Sequence, residues 1–206
     1  MTVELFLKIR FLAFISYSKN TASPFVLSSF LLGHTAKDIL PETGKKRNFV
    51  MLTKGYMVEL IRTDSTNSDF IELVKLLDAD LAERDGAEHA FYAQFNKTTM
   101  LKHCLVAYED GKAVSSGAIR EFGAGTMEVK RMYTLPQSRG KRIAGMVLAE
   151  LEKWAAEMHY TKCVLETGKR QPEAIALYTR SGYTQIENYG QYANMDNSVC
   201  FEKMLK

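Results

Sequence analysis

The sequence predicts an α/β chain of the α+β kind, built on a mixed, mostly antiparallel sheet of about six or seven strands flanked by about four helices. Three observations predict it. Three alternating segments between residues 103 and 135 are joined by short glycine turns, the pattern of an antiparallel meander. After Pro136 the apolar period becomes that of a long helix, and a strand pattern follows, so one parallel crossover enters the sheet. The composition, 46% hydrophobic and 25% charged over 206 residues, suits one globular domain with an appendage and excludes a disordered or disulfide-stapled chain.

The appendage comes first. Apolar clusters at residues 5–7, 11–15 and 24–32 all fall short of the ~18–20 apolar residues that cross a bilayer. Lys8 and Arg10 break the first run, and no small-residue cleavage site follows the second, so a secretory signal is not expected. Residues 1–56 are therefore expected to be a leader outside the fold, with initiation at Met51 or Met57. The competing expectation is a helix lying on a membrane surface. Residues 1–50 hold seven of the 27 Lys/Arg and three of the 24 Asp/Glu, so the net charge of +3 belongs to the leader. The remainder is nearly neutral, which excludes a nucleic-acid-binding core with a basic face.

From Met57 the elements follow in order. Residues 57–62 (MVELIR) alternate as a strand. Residues 65–68 offer helix caps, and Phe70, Leu73, Leu76, Leu77 and Leu81 recur at helical spacing until Asp85-Gly86. A second helical stretch spans 87–96. Residues 103–108 (HCLVAY) and 112–122 pair through a hairpin at Glu109-Asp110-Gly111, and a glycine turn at 123–125 leads into 127–135. Ile143, Val147, Leu151, Trp154, Ala155 and Met158 share one face of a long helix. Residues 161–166 (TKCVLE) form a strand, and Pro172 opens a helix that Gly182 closes. Strands at 183–188 and 198–205 end the order βααβββαβαββ.

The chemistry concentrates at residues 128–144, EVKRMYTLPQSRGKRIA. A glycine loop with Arg139, Lys141 and Arg142 feeds directly into a helix N-terminus, where first-turn N–H groups lack intrahelical partners and the dipole is positive. That arrangement asks for a pyrophosphate.

The loop Arg139-Gly140-Lys141-Arg142-Ile143-Ala144 resembles the Gln/Arg-x-x-Gly-x-Gly/Ala loop of the GNAT superfamily of acyl-CoA-dependent N-acetyltransferases, with Arg142 in the place of its usual fourth-position glycine. Residues 177–183 (LYTRSGY) match the family's Leu-Tyr-x-x-x-Gly-Phe/Tyr. LETG at 165–168, QPEA at 171–174 and SVCFE at 198–202 are similar to a small bacterial branch. The resemblance runs from Met57 to the end of the chain and implies a GNAT fold with splayed central strands. It further implies acetyl-CoA as co-substrate, no metal, and a primary-amine acceptor attacking directly in a ternary complex.

By the same resemblance the diphosphate of CoA would sit on Arg139, Gly140, Lys141, Arg142, Ile143 and Ala144. Met132 and Thr134 would meet its pantetheine arm through their backbone, with the Met132 amide polarising the thioester carbonyl. Glu128 is the expected base that deprotonates the amine, and Tyr178 the expected acid that protonates the departing thiolate. The arginine at position 142 is expected to be tolerated with weakened CoA binding, because a glycine lets phosphate come closer to the backbone. Regular alternation would place Glu128 with Lys130 and Met132 on one strand face, and Met127, Val129, Arg131 and Tyr133 on the other.

Glu166 and Tyr192 are further substrate-pocket candidates. Cys104, Cys163 and Cys200 lack CxxC spacing and are expected to be buried reduced thiols, which suits the cytoplasm. His34, His89 and His159 show no ligand spacing. The expected partners are a small-molecule or peptide amine and at most a second copy in a homodimer, with neither nucleic acid nor membrane. The alternative function is an acyl-CoA-binding sensor without turnover, suggested by the Arg142 departure and opposed by Glu128 and Tyr178.

Overall fold

The structure is a computed structural model, and it describes residues 48–53, 56–94 and 101–206. The expectations for residues 1–47, and for the end of the second helical stretch, fall outside the described residues. Among these no helix is long and apolar enough to cross a membrane.

Strands β1 (Asn48–Thr53), β2 (Tyr56–Thr63), β3 (His103–Glu109), β4 (Lys112–Gly123) and β5 (Thr126–Thr134) form an antiparallel meander. Helices α1 (Ser68–Asp85) and α2 (His89–Ala93) lie between β2 and β3 in the chain. Helix α3 (Ile143–Glu157) makes the crossover to β6 (Lys162–Gly168), the strand that pairs parallel to β5. Helix α4 (Pro172–Arg180), β7 (Thr184–Ile186) and β8 (Ser198–Met204) complete a sheet in the order β1-β2-β3-β4-β5-β6-β8-β7. The eight described strands are one more than the upper expectation, and the outermost, β1, is drawn from residues upstream of Met57.

Local chemistry accounts for these boundaries. Asn67 caps α1 by accepting the Phe70 amide at 2.9 Å. Asp110 and Gly111 both take positive φ, 49° and 78°, as a two-residue turn matched to strand twist requires. Pro172 stands at the start of α4, where its missing N–H costs nothing.

The sheet buries both faces. Leu60, Leu105, Ile119, Met127 and Val129 pack under Val147, Leu148 and Leu151 of α3, while Cys104, Val106 and Ala118 pack on the other face against Phe70, Leu73 and Val74 of α1. Each buried leucine contributes about 1.5–3 kcal/mol of transfer free energy. At the end of α3 the buried Arg62 guanidinium bridges Glu150 at 2.6 Å and Glu157, and stacks 4.8 Å from the Trp154 ring, tying β2 to the helix. All three cysteines are buried and free, and burial pushes the Cys104 and Cys163 thiols up to about 12 and that of Cys200 up to about 11.

Two irregularities in β5 position the site. Its parallel pairing with β6 covers Thr126, Met127 and Glu128 and ends there, so the two strands splay from Val129 onward. Its ladder with β4 slips between Lys130, opposite Ala118, and Tyr133, opposite Ser116. Arg131 and Met132 together therefore face Gly117, and Arg131 carries a φ of +57°. This is a β-bulge.

Candidate active site

The bulge changes which side chains face the cleft. Up to Lys130 the strand alternates, with Met127 and Val129 packed in the α3-side core. Arg131 then ion-pairs with Asp78 of α1, whereas Met132 packs on the α3 side, its Sδ 2.6 Å from where a Cβ on Gly117 would stand. Tyr133 returns to the cluster beneath α1. The regular alternation expected for Arg131 and Met132 is thus inverted, because one extra residue shifts the phase of a period-two strand.

The opening between β5 and β6 is a cavity of about 80 Å³ bordered by Lys130, Arg131, Met132, Glu166, Tyr178 and Tyr192. Helix α1 closes one side through Leu77, Leu81 and Asp85, and Gln171 sits at the mouth of α4. Thus Met132, Tyr178, Glu166 and Tyr192, all anticipated from sequence, border one space.

Glu128 lies elsewhere on the same strand. Its side chain is 0% exposed, and its carboxylate accepts from Arg120 at 2.7 Å, Lys130 at 3.2 Å and the Tyr189 hydroxyl at 3.4 Å. It does not border the cavity itself. Glu166 does, and burial pushes its carboxyl up to about 7, against the opposing pull of the Ser198 hydroxyl and the Lys130 charge. Ser198 Oγ donates to Glu166 Oε1 at 2.7 Å and stands 3.2 Å from the Tyr92 hydroxyl, so the carboxylate is held in a fixed direction. Burial and the Glu166 charge both raise the Tyr178 phenol above its ordinary value, which keeps its proton on at neutral pH.

The loop before α3 is anchored rather than free. Arg139 Nε donates to the Thr134 carbonyl at 3.0 Å, and Thr134 Oγ1 lies 2.8 Å from Ser115 Oγ. Lys141 Nζ reaches both oxygens of Glu109, at 2.7 and 2.8 Å, which fastens the loop to the end of β3. Gly140 takes φ +78°, and a Cβ there would meet nothing within 4 Å, so that side of the loop is open.

Arg142 occupies the N-cap of α3 with φ +66°, and its side chain makes no capping hydrogen bond. The first-turn amides of Ile143 and Ala144 accordingly have no side-chain cap and suit an anion. A left-handed backbone at 142 is what the family's glycine would supply, and here an arginine adopts it. The loop, the uncapped helix start and the adjoining splay fit the diphosphate and extended arm of an acyl-CoA.

Sequence reading missed Lys130, Arg131, Tyr92 and Asp85 as cavity residues. Lys130 and Arg131 adjoin the recognised loop, so their charge was visible. Their common orientation depends on the bulge, which leaves no sequence signature.

The model of the acetyltransferase (GNAT) family matches residues 70–183. An IAA acetyltransferase of Azospirillum brasilense is 31% identical over 152 residues, covering 72% of this chain and 98% of that protein. Among solved structures, a Klebsiella pneumoniae protein described as an acyl-CoA N-acyltransferase is 32% identical with a TM-score of 0.61, over 73% of this chain and 98% of its own. The PaiA N-acetyltransferase of Thermoplasma acidophilum, solved in complex with coenzyme A, shares the fold at 16% identity and a TM-score of 0.50, over 71% of this chain and 98% of that one.

Proposed function

We propose, because the chain belongs to the acetyltransferase (GNAT) family, that this acyltransferase moves an acetyl group from acetyl-CoA to a primary amine by direct attack in a ternary complex. The observation that carries this reading is the cavity in the β5–β6 splay, where Glu166 and Tyr178 border one space with Met132 of β5. Acetyl-CoA supplies the activated thioester carbonyl. The amides of Gly140, Arg142, Ile143 and Ala144, with the Arg139 guanidinium, hold the diphosphate. Lys141, already paired with Glu109, fixes the loop's shape and leaves part of its charge for the anion. The backbone of Met132 and Thr134 aligns the arm, and the Met132 amide polarises the carbonyl.

An acceptor amine arrives largely as ammonium, with a pKa near ~10 if lysine-like. Glu166, raised to about 7 by burial, accepts its proton, and Ser198 keeps the receiving carboxylate aimed into the cavity. Tyr178, whose phenol stays protonated, returns a proton to the departing thiolate. The second reading keeps Glu128 as the base. It is favoured by full burial on the same strand and by its 3.2 Å contact to Lys130, which borders the cavity.

An acceptor screen with acetyl-CoA, scored by free thiol release, tests the reaction. Glu166→Gln is expected to lower turnover by ~10²-fold or more and to remove the acid limb near pH 7, and Tyr178→Phe to lower turnover by a similar factor. A larger loss in Glu128→Gln than in Glu166→Gln moves the base to Glu128. Binding of acetyl-CoA with no turnover on any amine supports the sensor alternative instead.

A further inference from the structure

Arg131 is placed at some cost. An arginine at φ +57° is held in a sparsely populated region, and such strain persists where surrounding structure fixes it. Its side chain is 3% exposed, yet the carboxylate that pairs with it, Asp78 Oδ1 at 2.7 Å, belongs to a side chain that is 49% exposed. The pair uses Nη1, and a guanidinium has five N–H donors in a fixed fork. The other donors have no partner among the described residues, and Arg131 borders the cavity. Next to it Lys130 borders the same cavity, its side chain 9% exposed and its Nζ 3.2 Å from Glu128 and 3.5 Å from the Tyr192 hydroxyl. In a regular strand these neighbours would face opposite ways. The bulge spends a strained residue to point both cations the same way.

Across the splay stands Glu166. A cavity bordered by the carboxylates of Glu166 and Asp85 and by the two cations Lys130 and Arg131 is complementary to a molecule that carries both charges. We propose that the acceptor is a small amine bearing its own carboxylate, of amino-acid type. Its amino group is directed to Glu166, and its carboxylate to the unpaired donors of Arg131, with Lys130 adding charge. A planar guanidinium fork meets a carboxylate with two parallel hydrogen bonds, which selects against amines that lack the acid. The inference rests on the acyl-transfer reading above and narrows its acceptor class. The competing role for Arg131 is a structural tie that holds α1 to β5 through Asp78.

The experiment uses matched acceptor pairs on the full chain: amino acids, the amines left when each is decarboxylated, and the corresponding amides. The unaltered enzyme is expected to favour the acid-bearing member in kcat/KM by at least ~10-fold, the size of one charge-assisted hydrogen bond. Arg131→Gln should lower kcat/KM for the acids by ~10–100-fold, chiefly through KM, and that for the decarboxylated amines less than threefold. An acid of the same skeleton without the amine should compete with the acceptor in the unaltered chain and fail to do so in Arg131→Gln.

Asp78→Asn is the second variant. It removes the charge from the tie but keeps the guanidinium, so the preference for acids should persist. Equal losses on acids and amines in both variants would establish the structural tie and overturn the proposal, as would an unaltered enzyme that prefers the neutral amines. Turnover of amines without acid preference sinks this inference alone, whereas no turnover on any amine sinks the acyl-transfer reading beneath it.

Discussion

Position 142 needs a left-handed backbone, and an arginine provides it at φ +66°. Arg142→Gly should stabilise the chain by about 1 kcal/mol through relief of the Cβ clash, seen as a rise in Tm of about 2–4 °C. It should also tighten acetyl-CoA binding in calorimetry, since phosphate could then approach the bare backbone. Glu166 gives a second prediction at this scale. Its folded-state carboxyl rises from 4.5 to about 7, so the folded chain holds that proton more tightly than the unfolded one. The associated stability is present below pH ~4.5 and is lost as pH rises through 7, a span of about 3 kcal/mol. Denaturation of the unaltered chain and Glu166→Gln across pH 4–8 checks this, and parallel profiles would refute it. The Arg142 departure was legible in the sequence because the loop motif has a fixed length. The burial that sets the Glu166 value was not, since it depends on Ser198, Tyr92 and Lys130 arriving from other elements.

Strand β4 and helix α3 meet at Gly117, where an added Cβ would lie 2.6 Å from Met132 Sδ, 2.8 Å from Leu151 Cδ1 and 2.9 Å from Val147 Cγ1. Three side chains from two elements would have to move together. Gly117→Ala is thus expected to destabilise by about 1–3 kcal/mol, read from the denaturant midpoint. The Arg62 bridge from β2 to α3 makes a complementary prediction. Arg62→Met leaves Glu150 buried without its cation and should cost about 3–5 kcal/mol at pH 7. Burial already raises the Glu150 carboxyl, so the penalty should shrink as pH falls and protonation removes the stranded charge. Helix and strand existence was legible from residue 57 onward because apolar periods of 3.6 and 2 are strong over α1, α3 and the meander. The phase of β5 beyond Lys130 was not, because a bulge inserts one residue without changing composition.

For the molecule as a whole, the sheet's outer edge is the feature least evident from sequence. Composition alone groups residues 48–53 with the leader, yet they pair with β2 from Asn48 opposite Ile61 to Thr53 opposite Tyr56. A chain begun at Met57 is expected to lose amide protection along β2 in hydrogen exchange and to self-associate through the bared edge. A chain begun at Asn48 should do neither, and equal protection in the two forms would contradict the pairing. The architecture as a class was legible because a meander joined by short glycine turns is followed by a long crossover helix and a further strand. The three thiols carry a practical meaning of another kind. Each is shielded and holds its proton far above the working range, while a chromogenic thiol reagent consumes only accessible thiolate. The folded protein is therefore optically silent in such an assay, an absorbance increment reports released coenzyme while the fold is intact, and a slow upward drift in a blank without acceptor reports unfolding or hydrolysis of the donor.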